Sequence, residues 1–212
     1  MDAFQARLAR IALEAVGNRG FVLGGGHAVQ LHGMAERPSE DIDLFSADRG
    51  RPAEVEADVV AAFRRHHLTV TVTRRTSDLV QMMVSEPNGE TCKVDLGIFW
   101  RAREPVVLDI GPVLHPDDAA AGKMDALFNR WAPRDFLDVY AIHLSGRYDR
   151  HQLAALLVEH NPGFDRAMFA ESLGFLARIP DREFEAYGAD KEYVAAMRAH
   201  FAGWKHELDT PR

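Results

Sequence analysis

Apolar residues near the start of the chain recur every three or four positions, which is the period of an amphipathic helix. They run from Phe4 to Val16, and Gly17, Asn18 and Gly20 then end the pattern. The first element of the chain is therefore predicted to be a helix with one buried face.

A short apolar run, residues 21–23, leads directly into the three glycines Gly24–Gly26, and a second helical pattern follows that ends near Gly33. Strand, glycine turn and helix are predicted in succession. In such a turn the backbone can approach a ligand closely, and the helix N terminus offers amide groups to an anion. The spacing does not fit the dinucleotide-binding fingerprint, because Val29 replaces its last glycine, and it does not fit the P-loop either.

Residues 41–45 alternate carboxylate and apolar side chains with a period of two, which predicts a strand. Asp41 and Asp43 then project from one face, and Ile42 and Leu44 project from the other. Two carboxylates on one face could chelate a divalent cation, and their hard oxygen ligands suit Mg²⁺. The alternative is an edge strand whose polar face is simply solvated.

The rest of this half is predicted to form one helix and three strands, at residues 55–63, 68–73, 79–84 and 92–98. A turn at residues 86–90 joins the last two strands as a hairpin. In the last strand Lys93, Asp95 and Gly97 share the face opposite the apolar one. If that strand neighbours the strand with the aspartate pair, Asp95 adds a third carboxylate to the same site.

Beyond residue 115 strand signals vanish and only helical patterns remain. Helices are predicted at Asp117–Arg130, Arg134–Leu144, Asp149–Glu159, Asp165–Ala177 and Asp190–His206. The chain is therefore divided into an α/β region, residues 1–115, and a helical region, residues 116–212. No low-complexity linker separates the two regions, so we expect them to pack as one unit.

The amino-acid composition and the net charge exclude several classes of protein. The 212 residues are 47% hydrophobic and 27% charged, which excludes a disordered chain and a coiled coil. The formal net charge of −7 argues against a protein that coats nucleic acid through its overall field. Cys92 is the single cysteine, and no apolar run has the length of a signal peptide or a membrane span. We expect a cytoplasmic protein without a membrane partner.

Four blocks of sequence, in order along the chain, resemble one known family. They are Gly25-Gly26-His27-Ala28, Arg37-Pro38-Ser39-Glu40-Asp41-Ile42-Asp43-Leu44-Phe45, Lys123-Met124-Asp125-Ala126-Leu127-Phe128-Asn129-Arg130, and Arg134-Asp135-Phe136-Leu137-Asp138-Val139. The family is that of the AbiEii/AbiGii-type nucleotidyltransferase toxins, within the DNA polymerase β superfamily. The matching blocks span residues 24–142, and the last helices carry no recognised motif.

The resemblance implies an α/β fold, a polymerase β-like mixed sheet flanked by helices and followed by a C-terminal helical bundle. It implies transfer of a nucleoside monophosphate from a nucleoside triphosphate (NTP) to an acceptor, with release of pyrophosphate and with Mg²⁺ or Mn²⁺ as cofactor. In its terms Asp41, Asp43 and Asp95 are the metal-binding and catalytic carboxylates. The residues expected beside the nucleotide are Gly25, Gly26, His27, Arg37, Ser39, Lys123 and Arg130.

The helical blocks add two charged positions to this hypothesis. Lys123 and Arg130 are two helical turns apart and share one helix face, where a cation could neutralise triphosphate oxygens. The alternative is a solvated lysine. Asp138 is interpreted as a catalytic residue that orients Lys123 or the acceptor, although its spacing from Arg134 also fits an ordinary surface pair.

The resemblance implies, as the leading functional hypothesis, a toxin that modifies RNA, with tRNA as the expected acceptor and an antitoxin encoded alongside. Arginine-rich clusters at residues 64–67, 74–75 and 101–103 could contact phosphates, although solvated faces are the default for such clusters. One alternative is an adenylyltransferase that acts on a small hydroxyl compound such as an aminoglycoside. The other is a regulatory module that binds nucleotides without catalysis.

Overall fold

The computed structural model describes residues 1–17 and 19–210. Asn18, from the predicted end of the first helix, and residues 211 and 212 of the predicted helical region lie outside the described residues. The chain divides into two compact units. The first comprises Met1–His32 and Pro38–Ala119, and the second comprises Gly33–Arg37 and the chain from Ala120 onward.

The first unit is built on a seven-stranded mixed sheet with the order β3-β4-β5-β2-β1-β7-β6. Its strands are Val22–Leu23 (β1), Asp41–Ser46 (β2), Thr69–Arg75 (β3), Leu79–Ser85 (β4), Thr91–Ile98 (β5), Val106–Leu108 (β6) and Gly111–Val113 (β7). The first five were predicted from the sequence pattern, and the α/β class with a mixed sheet is confirmed. The last two are only three residues each, too short for a period of two to stand out.

Parallel pairing joins β2 to β5 and β1 to β7, and the remaining neighbours are antiparallel. Three helices belong to this unit: Ala3–Val16 (α1), Gly25–Leu31 (α2) and Arg51–Arg65 (α3). The helices α1 and α3 pack against each other and against the sheet. Ile42, Leu44 and Val94 are fully buried, as the alternating pattern predicted for the apolar face.

The helices from residue 116 onward are Pro116–Asn129 (α4), Pro133–Leu144 (α5), Arg150–His160 (α6), Arg166–Gly174 (α7), Arg182–Glu185 (α8) and Lys191–Asp209 (α9). Their bounds agree closely with the predicted helices, except that the predicted helix 165–177 ends as a 3₁₀ turn at Phe175–Arg178 and α8 was not predicted. Phe136, Phe169, Phe184 and Phe201 form much of the buried core here. Among the described residues, no helix combines the length and the apolar character needed to cross a membrane.

Candidate active site

Two neighbouring parallel strands of the first unit carry the predicted carboxylates. Asp43 of β2 lies directly opposite Asp95 of β5, and Asp41 lies opposite Lys93. The two strands are therefore neighbours, which is the condition under which Asp95 was expected to share a site with Asp41 and Asp43. We call the side of the sheet that bears these four residues and Gln81 of β4 the carboxylate face.

A lysine ammonium lies between two of the carboxylates. The Nζ atom of Lys93 is 2.7 Å from Oδ2 of Asp95 and 3.4 Å from Oδ2 of Asp41. Partial burial would lower the pKa of Lys93, but the hydrogen bond to Asp95 and the charges of Asp95 and Asp41 outweigh it and raise that pKa. The sequence pattern placed Lys93 on this face, but it did not indicate that the Lys93 ammonium forms ion pairs with the carboxylates of the site.

The expected convergence of three carboxylates is therefore only partly met. Asp41, Asp43 and Asp95 share one face, but within residues 1–17 and 19–210 no group of three or more His, Cys, Asp or Glu side chains is arranged to hold a metal ion. In this structure the Lys93 ammonium supplies the positive charge between Asp41 and Asp95.

The two oxygens of Asp95 have different surroundings. The carboxylate is largely buried, and its Oδ2 atom accepts from both Gln81 Nε2, at 2.9 Å, and Lys93 Nζ. Its Oδ1 atom is buried and has no hydrogen-bond partner among the described residues. A buried carboxylate oxygen without a partner is costly, so this atom is the one on which a cation or a proton donor would gain most.

The glycine turn closes directly against the aspartate pair. Gly25 has φ of +58°, and a Cβ atom at this position would lie 1.8 Å from Oδ2 of Asp43. A Cβ atom on Gly26 would lie 2.5 Å from Oγ of Ser39. The backbone N–H of Gly24 also donates to the carbonyl oxygen of Asp43, at 2.8 Å. The structure thus brings together four of the predicted site residues through contacts that only glycine allows.

Ser39 is held in place from the other side as well. Its carbonyl oxygen accepts a hydrogen bond from Nε2 of Gln5, which belongs to the capping box of α1, at 2.8 Å. His27, in contrast, is completely buried, and its Nδ1 atom lies 3.0 Å from Oε1 of Gln30. The imidazole of His27 therefore belongs to the interior of the first unit, although it follows the glycine turn in the sequence.

Cys92 also lies on the buried side of the sheet. Burial, followed by the charge of Asp41, raises the pKa of its thiol to about 12. The thiol is therefore not a nucleophile at neutral pH.

In the second unit a buried carboxylate binds two cations. Oδ2 of Asp138 lies 2.7 Å from Nζ of Lys123, and its Oδ1 accepts from Nε and Nη2 of Arg37 at 3.1 and 2.9 Å. Asp138 is only 4% exposed. The structure thus places Asp138 as the partner of Lys123, and the alternative pair with Arg134 is not formed within the described residues.

Arg130 follows α4 and is held by a different acid. Its Nε atom donates to Oδ2 of Asp135 at 3.0 Å, and the same oxygen accepts the backbone N–H of Ala132 at 2.9 Å. Asp135 is 1% exposed and caps the N terminus of α5. The side chain of Arg130 remains half exposed.

The comparisons with known proteins bear directly on this arrangement. The family model for the AbiEii nucleotidyl transferase toxin of type IV toxin–antitoxin systems matches residues 7–207. The chain belongs to the AbiEii family. It is therefore a nucleotidyltransferase and the toxin of a toxin–antitoxin system, and the family implies an NTP substrate and a cognate antitoxin.

Solved structures support the fold of this AbiEii protein. JHP933 from Helicobacter pylori is 18% identical with a TM-score of 0.53, and the match covers 97% of this chain and 95% of that one. MenT4, a nucleotidyltransferase toxin from Mycobacterium tuberculosis, is 19% identical with a TM-score of 0.53, and the match covers 98% and 86%. A comparison with the sequences of curated proteins finds no match.

Proposed function

We propose that this AbiEii enzyme transfers a nucleoside monophosphate from an NTP to a hydroxyl group of RNA, with tRNA as the acceptor in the cytoplasm. The observation that carries the proposal is the pairing of Asp43 with Asp95 across two strands, with the backbone of Gly25 against the Asp43 carboxylate. The first unit then contains carboxylates that can bind a metal ion and a glycine turn whose backbone can approach a phosphate. It also contains a carboxylate oxygen, Oδ1 of Asp95, that can accept the proton of the acceptor hydroxyl.

The donor set fits a divalent cation of the Mg²⁺ class, with Mn²⁺ as a substitute. Asp41, Asp43 and Asp95 offer hard oxygen ligands on one face of the sheet, and the Lys93 ammonium already holds a positive charge between Asp41 and Asp95. When bound, such a cation neutralises developing charge on the phosphates and lowers the pKa of the attacking hydroxyl. Lys93 must then share or leave its contacts with Asp41 and Asp95.

The chain's own residues have separate roles in the proposed reaction. The acceptor oxygen attacks the α-phosphorus, a new P–O bond forms, and the bond to the β-phosphate oxygen breaks to release pyrophosphate. Oδ1 of Asp95 accepts the proton of the acceptor hydroxyl, while Gln81 and Lys93 hold Oδ2. Gly25 and Gly26 let the backbone approach the triphosphate, and Ser39 offers its hydroxyl there.

Residues of the second unit are proposed to bind the triphosphate through charge. Lys123 and Arg37 are cations whose side chains Asp138 orients, and Arg130 is oriented by Asp135. Preorganised cations of this kind stabilise the charge that develops on the leaving pyrophosphate. His27 is buried, so we assign it no side-chain contact with the nucleotide and only a structural role in the turn.

The experiment that tests the proposal follows label from each α-³²P NTP into bulk tRNA in the presence of Mg²⁺. The unmodified enzyme should label the RNA, and Asp43→Asn and Asp41→Asn should abolish labelling because an amide is a poorer metal ligand. Asp58→Asn, at an exposed aspartate of α3 that pairs with Arg19, is the matched control and should remain active.

Stability separates a chemical role from a structural one in these variants. Asp41 is paired with a partly exposed Lys93, and such a pair contributes about 0–1 kcal/mol, so the Tm of Asp41→Asn should stay close to that of the unmodified enzyme. Labelling of a small hydroxyl compound but not of tRNA would contradict the proposed acceptor. Full activity of both variants at limiting Mg²⁺ would contradict the metal site.

A further inference from the structure

The edge strand β3 contains one irregularity. Val72 lies opposite Met82 and Arg74 lies opposite Gln81, so Thr73 is an extra residue in a β-bulge. The hydroxyl of Thr73 donates to the carbonyl oxygen of Gln81 at 3.2 Å, which holds the bulge against β4. Bulges of this kind re-aim the side chains that follow them and are frequent beside active sites.

The bulge exchanges the faces of two arginines. Arg75 lies opposite the buried Val80 and forms an ion pair with Glu56 of α3, so its guanidinium lies on the helix-covered side of the sheet. Arg74 lies opposite Gln81 and is therefore on the carboxylate face. With uninterrupted alternation Arg74 would be opposite Val80, on the side that α3 covers.

Arg74 consequently ends a row of side chains that crosses four strands. The register aligns Arg74 with Gln81, Gln81 with Asp95, and Asp95 with Asp43. Because neighbouring strands are about 4.8 Å apart, the backbone of Arg74 lies roughly 10 Å from that of Asp95. Gln81 lies between Arg74 and Asp95 in this row, and its side-chain amide donates a hydrogen bond to Asp95.

The guanidinium of Arg74 is available for a ligand. Its residue is exposed, and the side chain makes no hydrogen bond or ion pair with any residue in the described part of the chain. Most other arginines of the first unit are engaged: Arg7 with Glu86, Arg49 with Asp78, Arg51 with Glu54, Arg101 with the carbonyl of Gly20 and Arg103 with Asp117. Arg64 and Arg65, which belong to a separate basic cluster of the sequence, line a cavity between α3 and β3 on the other side of the sheet.

We propose that Arg74 binds a backbone phosphate of the RNA acceptor close to the reacting hydroxyl. This inference rests on the proposed function. The sheet order puts the glycine turn beyond β2 on one flank of the carboxylates and Arg74 beyond β4 on the other, so the nucleotide and the acceptor approach from opposite flanks. RNA is a polyanion and is repelled by the three carboxylates, so a cation is needed on the flank from which the RNA approaches. The planar guanidinium of Arg74 can donate two hydrogen bonds to one phosphate.

The proposal is tested by steady-state transfer of labelled NTP to bulk tRNA with Arg74→Ala and Arg74→Lys. Arg74→Ala should raise KM for tRNA by about tenfold and leave kcat and KM for NTP within about twofold, since it removes a contact made equally before and during the reaction. The binding constant for tRNA should also depend less steeply on salt: the magnitude of the slope of its logarithm against the logarithm of the salt concentration should decrease by about 0.7–0.9, the change expected for one phosphate contact. Arg74→Lys should restore the slope but only part of the affinity.

Arg10→Ala is the matched control. Arg10 is an exposed arginine of α1, on the helix-covered side of the sheet, and the control should change neither KM nor the salt slope. Unchanged KM and slope in Arg74→Ala, or equal losses in kcat and in NTP binding, would overturn the role of Arg74. Absence of label in tRNA with the unmodified enzyme would instead overturn the proposed function, and this inference with it.

Discussion

At Gly25 the absence of a side chain is what lets the turn touch the Asp43 carboxylate. In Gly25→Ala the new methyl group would displace that carboxylate, and the backbone would also keep an unfavourable positive φ. We expect activity to fall on the order of 100-fold, since small displacements of reacting groups have effects of this size. The destabilisation should be only about 1 kcal/mol, because the carboxylate can rotate away.

Gly33→Ala separates the effect of the collision with Asp43 from the effect of the backbone strain. Gly33 has φ of +68°, but among the described residues no atom beyond its chain neighbours lies within 4 Å of the position that an added methyl group would take, so this variant has the backbone strain without the collision. The two variants should show similar decreases in Tm, while only Gly25→Ala loses transfer activity. Equal activities would show that the contact with Asp43 has no functional role.

Lys123 is a second single residue on which the proposed function depends. Lys123→Ala should lower activity by a factor on the order of 10²–10³, the loss seen when one preorganised electrostatic partner is removed. The free energy of unfolding should fall by about 1–3 kcal/mol, because the buried Oδ2 of Asp138 loses its partner while Oδ1 keeps its contacts with Arg37. Lys123→Arg should recover only part of the activity, since a planar fork does not reproduce a compact ammonium.

The control for Lys123 is Lys191→Ala, at an exposed lysine that begins α9. Initial rates and the KM for NTP should be measured for all three variants. Normal turnover and nucleotide affinity in Lys123→Ala would mean that the lysine only pairs with Asp138.

At the scale of elements, the start of α5 depends on Asp135. This buried carboxylate accepts the backbone N–H of the N-cap residue Ala132 and binds Arg130, so its removal takes away one hydrogen bond at the helix N terminus and an ion pair. We expect Asp135→Ala to lower the free energy of unfolding by roughly 2–3 kcal/mol. Chemical denaturation monitored by circular dichroism measures this change.

Asp149→Ala provides the comparison, because Asp149 supplies the other half of a capping box: it is the N-cap residue of α6 and accepts the backbone N–H of Gln152. That cap is exposed, and its loss should cost about 1 kcal/mol. Equal losses for the two variants would mean that burial and the contact with Arg130 add nothing to the cap of α5.

For the whole molecule, the clearest pH dependence comes from His200 of α9. Its Nδ1 atom accepts a hydrogen bond from Arg150, and Tyr140, His143 and Trp204 surround the ring. Burial, followed by the charges of Arg150 and His143, lowers the pKa of His200 to about 4. The unfolded chain therefore binds a proton between pH 6.5 and 4 that the folded chain does not.

It follows that stability decreases as pH falls through this window and is fully present above pH 6.5. The contribution of His200 between pH 8 and pH 5 should amount to about 1–2 kcal/mol, because solvent screens a ring that is only partly buried. His200→Gln should flatten the dependence of the free energy of unfolding on pH, whereas His206→Gln, at an exposed histidine of the same helix, should not. An unchanged pH profile in His200→Gln would refute this assignment.

The local sequence pattern alone determined the position of most helices and strands of this protein and the faces of its strands. The alternation from Asp41 to Phe45 determined which side chains share a face, and helical spacing located the helices of the second unit to within a few residues. The ordered motifs indicated the AbiEii family. Period and motif are properties of neighbouring residues, so they can be read without knowing where the chain returns.

Other features of the site depend on residues far apart in the chain, and only the tertiary structure decided them. The pairing of β2 with β5 set Asp95 opposite Asp43 and put the Lys93 ammonium between carboxylates. A one-residue bulge turned Arg74 to the carboxylate face. Strand partners, register and bulges are chosen by packing and loop closure over the whole unit, and a period of two is compatible with several of these choices.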